Sequence, residues 1–178
     1  MRWAIDPSHT NVEFAVRHLG ISTVRGRFKK VTGVVETTDD GMLKAVEATI
    51  DASSIDTGEA KRDAHLRSGD FLDCEVCPVL TFRSTSVTPK DDAHYVVDGT
   101  LTMRNQTGPV SLQVDVAKPM KDPWGNLRAG AVASGTLNRK DWGLTWNQVL
   151  ELGALLVGED VRFNLDVEAV AQQVAVAA

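Results

Sequence analysis

Few residues in this chain of 178 have the type and spacing to do chemistry. Both cysteines fall in Cys74-Glu75-Val76-Cys77, a spacing that suits half of a zinc site or a redox dithiol. Zinc needs two more ligands. The sequence holds no second CxxC and no paired-histidine motif, which leaves His65 as the one further donor weighed beside Cys74 and Cys77. A redox pair would open a helix after a strand, but Pro78 and a strand-like run follow Cys77. The expectation is two packed thiols in a reducing compartment. His18 closes an apolar alternating stretch and His65 lies in a charged, helix-like one. Either imidazole could serve as an acid–base group or donate a hydrogen bond to a carbonyl or phosphate oxygen. A core histidine satisfied by its neighbours is the weightier reading.

The motifs of common catalysts are missing: no GxSxG elbow, no HExxH, no P-loop and no GxGxxG after a strand. Asp39-Asp40 and Asp91-Asp92 fall in turns as solvated charge, and Asn105-Gln106-Thr107 is a glycosylation sequon without meaning outside a secreted protein. The chain is therefore expected not to be an enzyme. The alternative is an enzyme or stress-response factor that uses a pocket with His18 or His65 as its acid–base group.

The elements that must position these residues are strands. Val12, Phe14, Val16 and His18 alternate with Glu13, Ala15 and Arg17. The same period of two runs through 80–84, 95–104, 110–116 and 161–168, as expected of strands with one buried face. Asp39-Asp40-Gly41, Pro89 to Asp92, Asn105 to Gly108 and Asp122 to Asn126 supply turn residues, and gaps of hairpin length predict antiparallel neighbours. One segment departs from the pattern. Thr57 to Gly69 has a capping threonine, an early acid and a final glycine, which predicts a helix of about three turns acting as a lid or plug. Arg62, Asp63, His65 and Arg67 are expected to clasp it to the barrel. Residues 1–170 form one predicted domain, and 171–178 carry no cap or turn signal and are expected to fray.

Composition sets limits. Apolar residues make up 43% and charged residues 24%, with a net charge of −5, so nucleic acid is not an expected partner. The apolar runs are too short to span a bilayer, which takes about 20 residues, and no stable membrane insertion is expected. No apolar leader follows Met1, which favours a cytoplasmic protein. A homodimer is compatible with the sequence.

A set of alternating strands must dispose of its edges, and closure into a barrel removes them. On pattern alone, a hollow barrel and a filled sandwich are equally compatible. Gly99, Ala131, Ala133 and Gly135 on the inner face tilt the expectation toward unfilled volume.

Particular stretches then carry a resemblance. Trp3-Ala4-Ile5-Asp6, His18-Leu19-Gly20, Val24 to Phe28, and Ser54 to Thr57 running into Arg62 to Asp73 stand in order. Pro78, Thr81 to Ser84, Gly99 to Met103, Asp122 to Gly125 and Asn138 to Leu144 follow. Across nearly its whole length the chain resembles the YceI family of lipocalin-like, polyisoprenoid-binding proteins. The resemblance implies an all-β, eight-stranded antiparallel barrel with one short helix near an end. It also implies an elongated lumen that binds, stores or transports a long apolar isoprenoid lipid, polyprenyl or quinone, as a non-covalent ligand. Cys77, Ala131 and Trp142 depart from the residues common in the family. The residues expected to face the ligand are Phe14, Val16, His18, Phe28, Val35, Ile50, Leu66, Phe71, Phe82, Leu101, Met103, Leu112, Val114, Trp142 and Trp146.

Overall fold

The computed structural model describes residues 1–149 and 155–172. The alternating runs become strands β1 (Arg2–Ile5), β2 (Asn11–His18), β3 (Ser22–Phe28), β4 (Val31–Thr37), β5 (Leu43–Asp51) and the short β6 (Ile55–Asp56). Helix α1 (Ala60–Arg67) follows, then β7 (Val79–Pro89), β8 (His94–Met103), β9 (Gln106–Val116), the short β10 (Met120–Lys121), β11 (Leu127–Asn138) and β12 (Val157–Ala171).

The pairing explains how these pieces make eight long strands. β1 and β2 lie end to end along β12, with Trp3 opposite Ala171 and Phe14 opposite Phe163. β3 and β4 lie end to end along them in turn, with Gly26 opposite Phe14 and Val35 opposite Trp3. Each couple is one strand broken by a bend. From there β5, β7, β8, β9, β11 and β12 each pair antiparallel with the next. β12 returns to β1 and β2, so the eight-stranded sheet closes into a barrel, with the far side of β3 paired only at Arg27 and Phe28 by β6.

Closure is reinforced at one end by charge. Arg128 on β11 reaches Asp122 at 2.8 Å, Asp6 at 2.9 Å and Glu168 on β12. Hydrogen bonds from His9 first and Arg128 second hold the Asp6 carboxyl well below the usual carboxylate range, and Arg128 does the same at Asp122; these carboxylates, with Glu168, in turn raise the Arg128 pKa.

Three local expectations are corrected. The helix has two turns, not three, and Glu59 caps it by accepting from the Lys61 and Arg62 backbone N–H groups. Thr57 cannot cap because Gly58, at φ +77°, turns the chain away before the helix begins. The hairpin between β8 and β9 turns on Arg104 and Asn105 alone, both at positive φ as a primed turn requires, so Gln106 to Gly108 already belong to a strand. Ala171 and Gln172 are held rather than frayed: Ala171 stands opposite Trp3, and the Gln172 N–H donates to the Arg2 carbonyl at 2.9 Å. Residues 173–178 of the expected tail lie outside the described residues.

Candidate functional site

One end of the barrel interior holds a cavity of about 540 Å³. Its wall is hydrocarbon from strands around the ring: Val12, Phe14 and Val16 of β2, Val24 and Phe28 of β3, Ile50 of β5, and Leu80 and Phe82 of β7. Leu101 and Met103 of β8, Val110 and Leu112 of β9, Leu137 of β11, and Val161, Phe163 and Leu165 of β12 complete it. The opposite end is packed with the protein's own side chains. Tyr95, Val97, Val114 and Ala133 are buried there, and the Tyr95 hydroxyl donates to Met42 Sδ at 3.5 Å. The interior is thus half filled and half hollow.

The hollow half depends on a row of residues across four adjacent strands. In register, Gly135 of β11 faces Phe163 of β12, Phe163 faces Phe14 of β2, and Phe14 faces Gly26 of β3. Each ring leans over the glycine on its far side. A Cβ on Gly135 would lie 2.4 Å from Phe163 Cζ, and one on Gly26 would lie 2.4 Å from Phe14 Cζ. Phe82 lies over Gly99 in the same way, at 2.5 Å. These glycines do not leave empty volume where they stand, contrary to the sequence expectation for Gly99 and Gly135. They seat aromatic rings flat on the wall, a pairing that also shields backbone which glycine would otherwise expose.

The mouth of the cavity is roofed by α1 and the loops beside it. Asp63, buried, accepts from the Thr57 N–H at 2.9 Å and the Thr57 hydroxyl at 2.6 Å. Arg62 donates to the Thr57 hydroxyl and carbonyl, and Arg67 to the carbonyls of Ser53 and Ile55. This is the clasp expected of Arg62, Asp63 and Arg67. His65 plays a different part: its Nε2 meets Asp70 at 2.8 Å, and its ring stands edge-on to Phe71 and Trp146, with centroids 5.1 and 4.7 Å away. Arg139, 2% exposed, donates to the carbonyls of Leu144, Trp146, Val157 and Gly158, which pins the segment carrying Trp146. Burial lowers its pKa, but the four carbonyls suit only the charged guanidinium.

The model of the YceI-like domain matches residues 3–169. The chain belongs to the YceI family. A UPF0312 protein of Pseudomonas aeruginosa is 39% identical over 92% of this chain and 83% of its own length. One from Staphylococcus aureus is 36% identical over 93% and 95%. Among solved structures, the Campylobacter jejuni YceI protein superposes with a TM-score of 0.76 at 26% identity, covering 88% of this chain and 90% of its own. A polyisoprenoid-binding domain from Saccharophagus degradans shares the fold, with a TM-score of 0.71 at 16% identity over 96% and 98% of the two chains.

In this YceI barrel, Phe14, Val16, His18, Phe28, Ile50, Leu66, Phe71, Phe82, Leu101, Met103, Leu112 and Trp146 all border the cavity. Val35, Val114 and Trp142 do not. Val35 pairs with Trp3 beyond the cavity's reach, and Val114 belongs to the filled half. Trp142 sits in the 3₁₀ turn Arg139–Trp142, packs on Gly108 and donates from Nε1 to the Leu101 carbonyl at 2.9 Å. Sequence reasoning missed Val12, Val24, Val110, Val161, Phe163 and Leu165. Val12, Val24 and Val110 share the inward parity of Phe14, Phe28 and Leu112, and the alternation of 161–168 was the signal for Val161, Phe163 and Leu165. Leu72, Leu144 and Leu156 arrive from loops, where alternation gives no guide.

The other chemical candidates separate. Cys74 is half-buried and Cys77 buried, both as free thiols, and burial raises the Cys74 pKa. Among the described residues, Asp6, His9 and Glu168 are the one group whose donor atoms converge as a metal would need, whereas Cys74, Cys77 and His65 do not. The Arg128 guanidinium already occupies the carboxylates of Asp6 and Glu168. The His65–Asp70 pair resembles an acid–base dyad, yet among the described residues no serine, threonine or cysteine side chain is hydrogen-bonded to His65.

Proposed function

We propose that this YceI barrel binds one isoprenoid lipid, a polyprenyl compound or an isoprenoid quinone, and serves as its carrier or reservoir without transforming it. The observation that carries the reading is a cavity whose lining is chiefly hydrocarbon, with His18, Lys61 and His65 among its few polar residues. Such a cavity offers an alkyl chain about 0.8 kcal/mol for each methylene taken from water. A bilayer offers nearly the same, so selectivity resides in the cavity's dimensions and in whatever meets the head group. His18, Lys61 and His65 border the mouth and are the candidates for that contact. With Asp70 accepting from Nε2–H, a neutral His65 keeps Nδ1 as an acceptor for a hydroxyl head group. The name of the Saccharophagus domain describes a ligand of the same class.

Trp146 at the mouth gives the test. Titration with an isoprenoid quinone is expected to quench tryptophan fluorescence saturably at one ligand per protein, and Trp146→Phe to remove much of the change. Replacing His18 or His65 is expected to alter affinity alone. Quenching that stays linear with quinone concentration would overturn the binding reading. Histidine-dependent conversion of the ligand would overturn the claim that the protein is only a carrier.

A further inference from the structure

We infer that the cavity end of the barrel is a membrane-docking surface: the β2–β3 turn and the segment leading into β12 rest their apolar tips in an anionic phospholipid bilayer, shallowly and reversibly. This rests on the lipid-carrier reading above and adds the place where cargo is exchanged. Among the described residues, four of the ten exposed large hydrophobic side chains meet here. Leu19 and Ile21 stand in the turn, Val149 and Leu155 in the segment, and Ile21 is 79% and Val149 74% exposed. The backbone joins them. The Leu19 N–H donates to the Leu156 carbonyl at 2.9 Å, and Val149 and Leu155 form a β-bridge. His18 and Leu156, their neighbours in the chain, border the cavity, so the exposed tips run on into its lining.

Charge divides the two ends of the barrel. The turns at the opposite end, from β4 to β5, β7 to β8 and β10 to β11, carry Asp39, Asp40, Lys90, Asp91, Asp92 and Asp122. No Asp, Glu, Lys or Arg stands in 18–24 or 142–149. The backbone donors of the tips are satisfied within the protein, as contact with lipid demands. The Ile21 N–H donates to the His18 carbonyl, the Leu156 N–H to the Gln148 carbonyl, and the N–H groups of Gln148 and Val157 to Asn147 Oδ1. Two cations stand behind the tips. Arg17 is held at the neck of the turn by the Gly20 carbonyl at 2.6 Å and the Thr23 hydroxyl at 3.3 Å, and Lys61 lies on α1. Both are exposed and border the cavity, and among the described residues neither forms an ion pair. The carboxylates of Glu13 and Glu59 are engaged by Asn11 and by the start of α1. Apolar tips backed by free cations suit acyl chains beneath phosphates, and each basic residue at an anionic surface adds about fivefold to partitioning. Two copies of the chain meeting tip to tip would instead set these cations against each other.

The test is flotation of the protein with vesicles that contain no isoprenoid, made of phosphatidylcholine alone or with an equal part of phosphatidylglycerol. The expected result is binding to the mixed vesicles that salt weakens, and about tenfold less to phosphatidylcholine alone. Ile21→Asp combined with Val149→Asp is expected to lower binding by about tenfold or more, and Arg17→Gln by about fivefold. Trp124→Asp, in an exposed turn at the opposite end, is expected to change nothing. No flotation, undiminished binding by the double variant, or loss of binding in Trp124→Asp overturns the docking surface. A dimer in sedimentation velocity that the double variant abolishes assigns the tips to a second copy and overturns it too. Isoprenols supplied from cyclodextrin separate this inference from the lipid reading. Loading without flotation overturns docking and leaves lipid binding intact, whereas flotation without loading supports docking and overturns the carrier.

Discussion

Gly135→Ala tests how the cavity is kept open. The added Cβ would stand 2.4 Å from Phe163 Cζ, 2.7 Å from Cε2 and 2.9 Å from the Ser111 carbonyl oxygen. The ring has to leave the wall, and the open side is the lumen. Overpacking of this kind costs about 1–3 kcal/mol, which in a domain of this size lowers the melting temperature by roughly 3–10 °C. The displaced ring brings six carbons into the space a ligand would fill. A ligand that loses contact for that many carbons forfeits up to about 5 kcal/mol, and even half of that weakens binding more than fiftyfold, roughly. Thermal melts and ligand titrations of the four proteins in a Gly135→Ala, Phe163→Ala cycle separate the contributions. In the Phe163→Ala background the alanine should cost at least about 1 kcal/mol less, the remainder coming from Ser111. An equal penalty in both backgrounds, or wild-type stability and affinity in Gly135→Ala, would refute the seating of the ring on glycine.

Asp63→Ala leaves the Thr57 N–H and hydroxyl without their buried acceptor, so it should destabilise by about 2–4 kcal/mol. Hydrogen exchange should locate the loosening in residues 57–67, and uniform loss of protection across the barrel would contradict the clasp. Trp142→Phe removes the bond to the Leu101 carbonyl and should cost about 1–2 kcal/mol with no change in ligand affinity, because Trp142 lies outside the cavity wall. A strong loss of affinity there would restore it to the site. Arg128→Gln tests barrel closure through pH. The folded-state pKa values of Asp6 and Asp122 are depressed, so their contribution is complete above the unfolded value of about 4 and disappears as pH falls through the folded one. The difference in melting temperature between wild type and Arg128→Gln should hold steady from neutral pH to about 5 and shrink below about 4. A difference that widens on acidification would reverse the sign of the coupling.

The strand pattern is legible in the sequence because a barrel wall has two unlike faces. Val12, Phe14 and Val16 had to point one way and Glu13 and Arg17 the other, and in the structure the first three are buried or half-buried and the last two exposed. What parity cannot reveal is depth along the barrel. Val114 shares the inward face of Leu112, but it is buried among side chains and does not border the cavity. The role of the inward glycines was misjudged for a related reason. Their empty space is claimed by a ring from the adjacent strand, and the register that brings Phe163 beside Gly135 is a property of the assembled sheet. Helix α1 was visible from its capping chemistry, but Thr57 was misassigned because its hydroxyl serves Asp63 rather than the helix end. Trp142 was expected to face the ligand and is instead core, packed on Gly108 outside the cavity wall.

The most direct measurement is the chemical content of the protein as cells make it. Barrel purified without detergent and extracted with organic solvent should release a single class of isoprenoid near one equivalent per chain, and the Gly135→Ala protein should release much less. An extract with no apolar molecule, from protein that also stays empty after exposure to isoprenols and quinones in vesicles, would contradict the account.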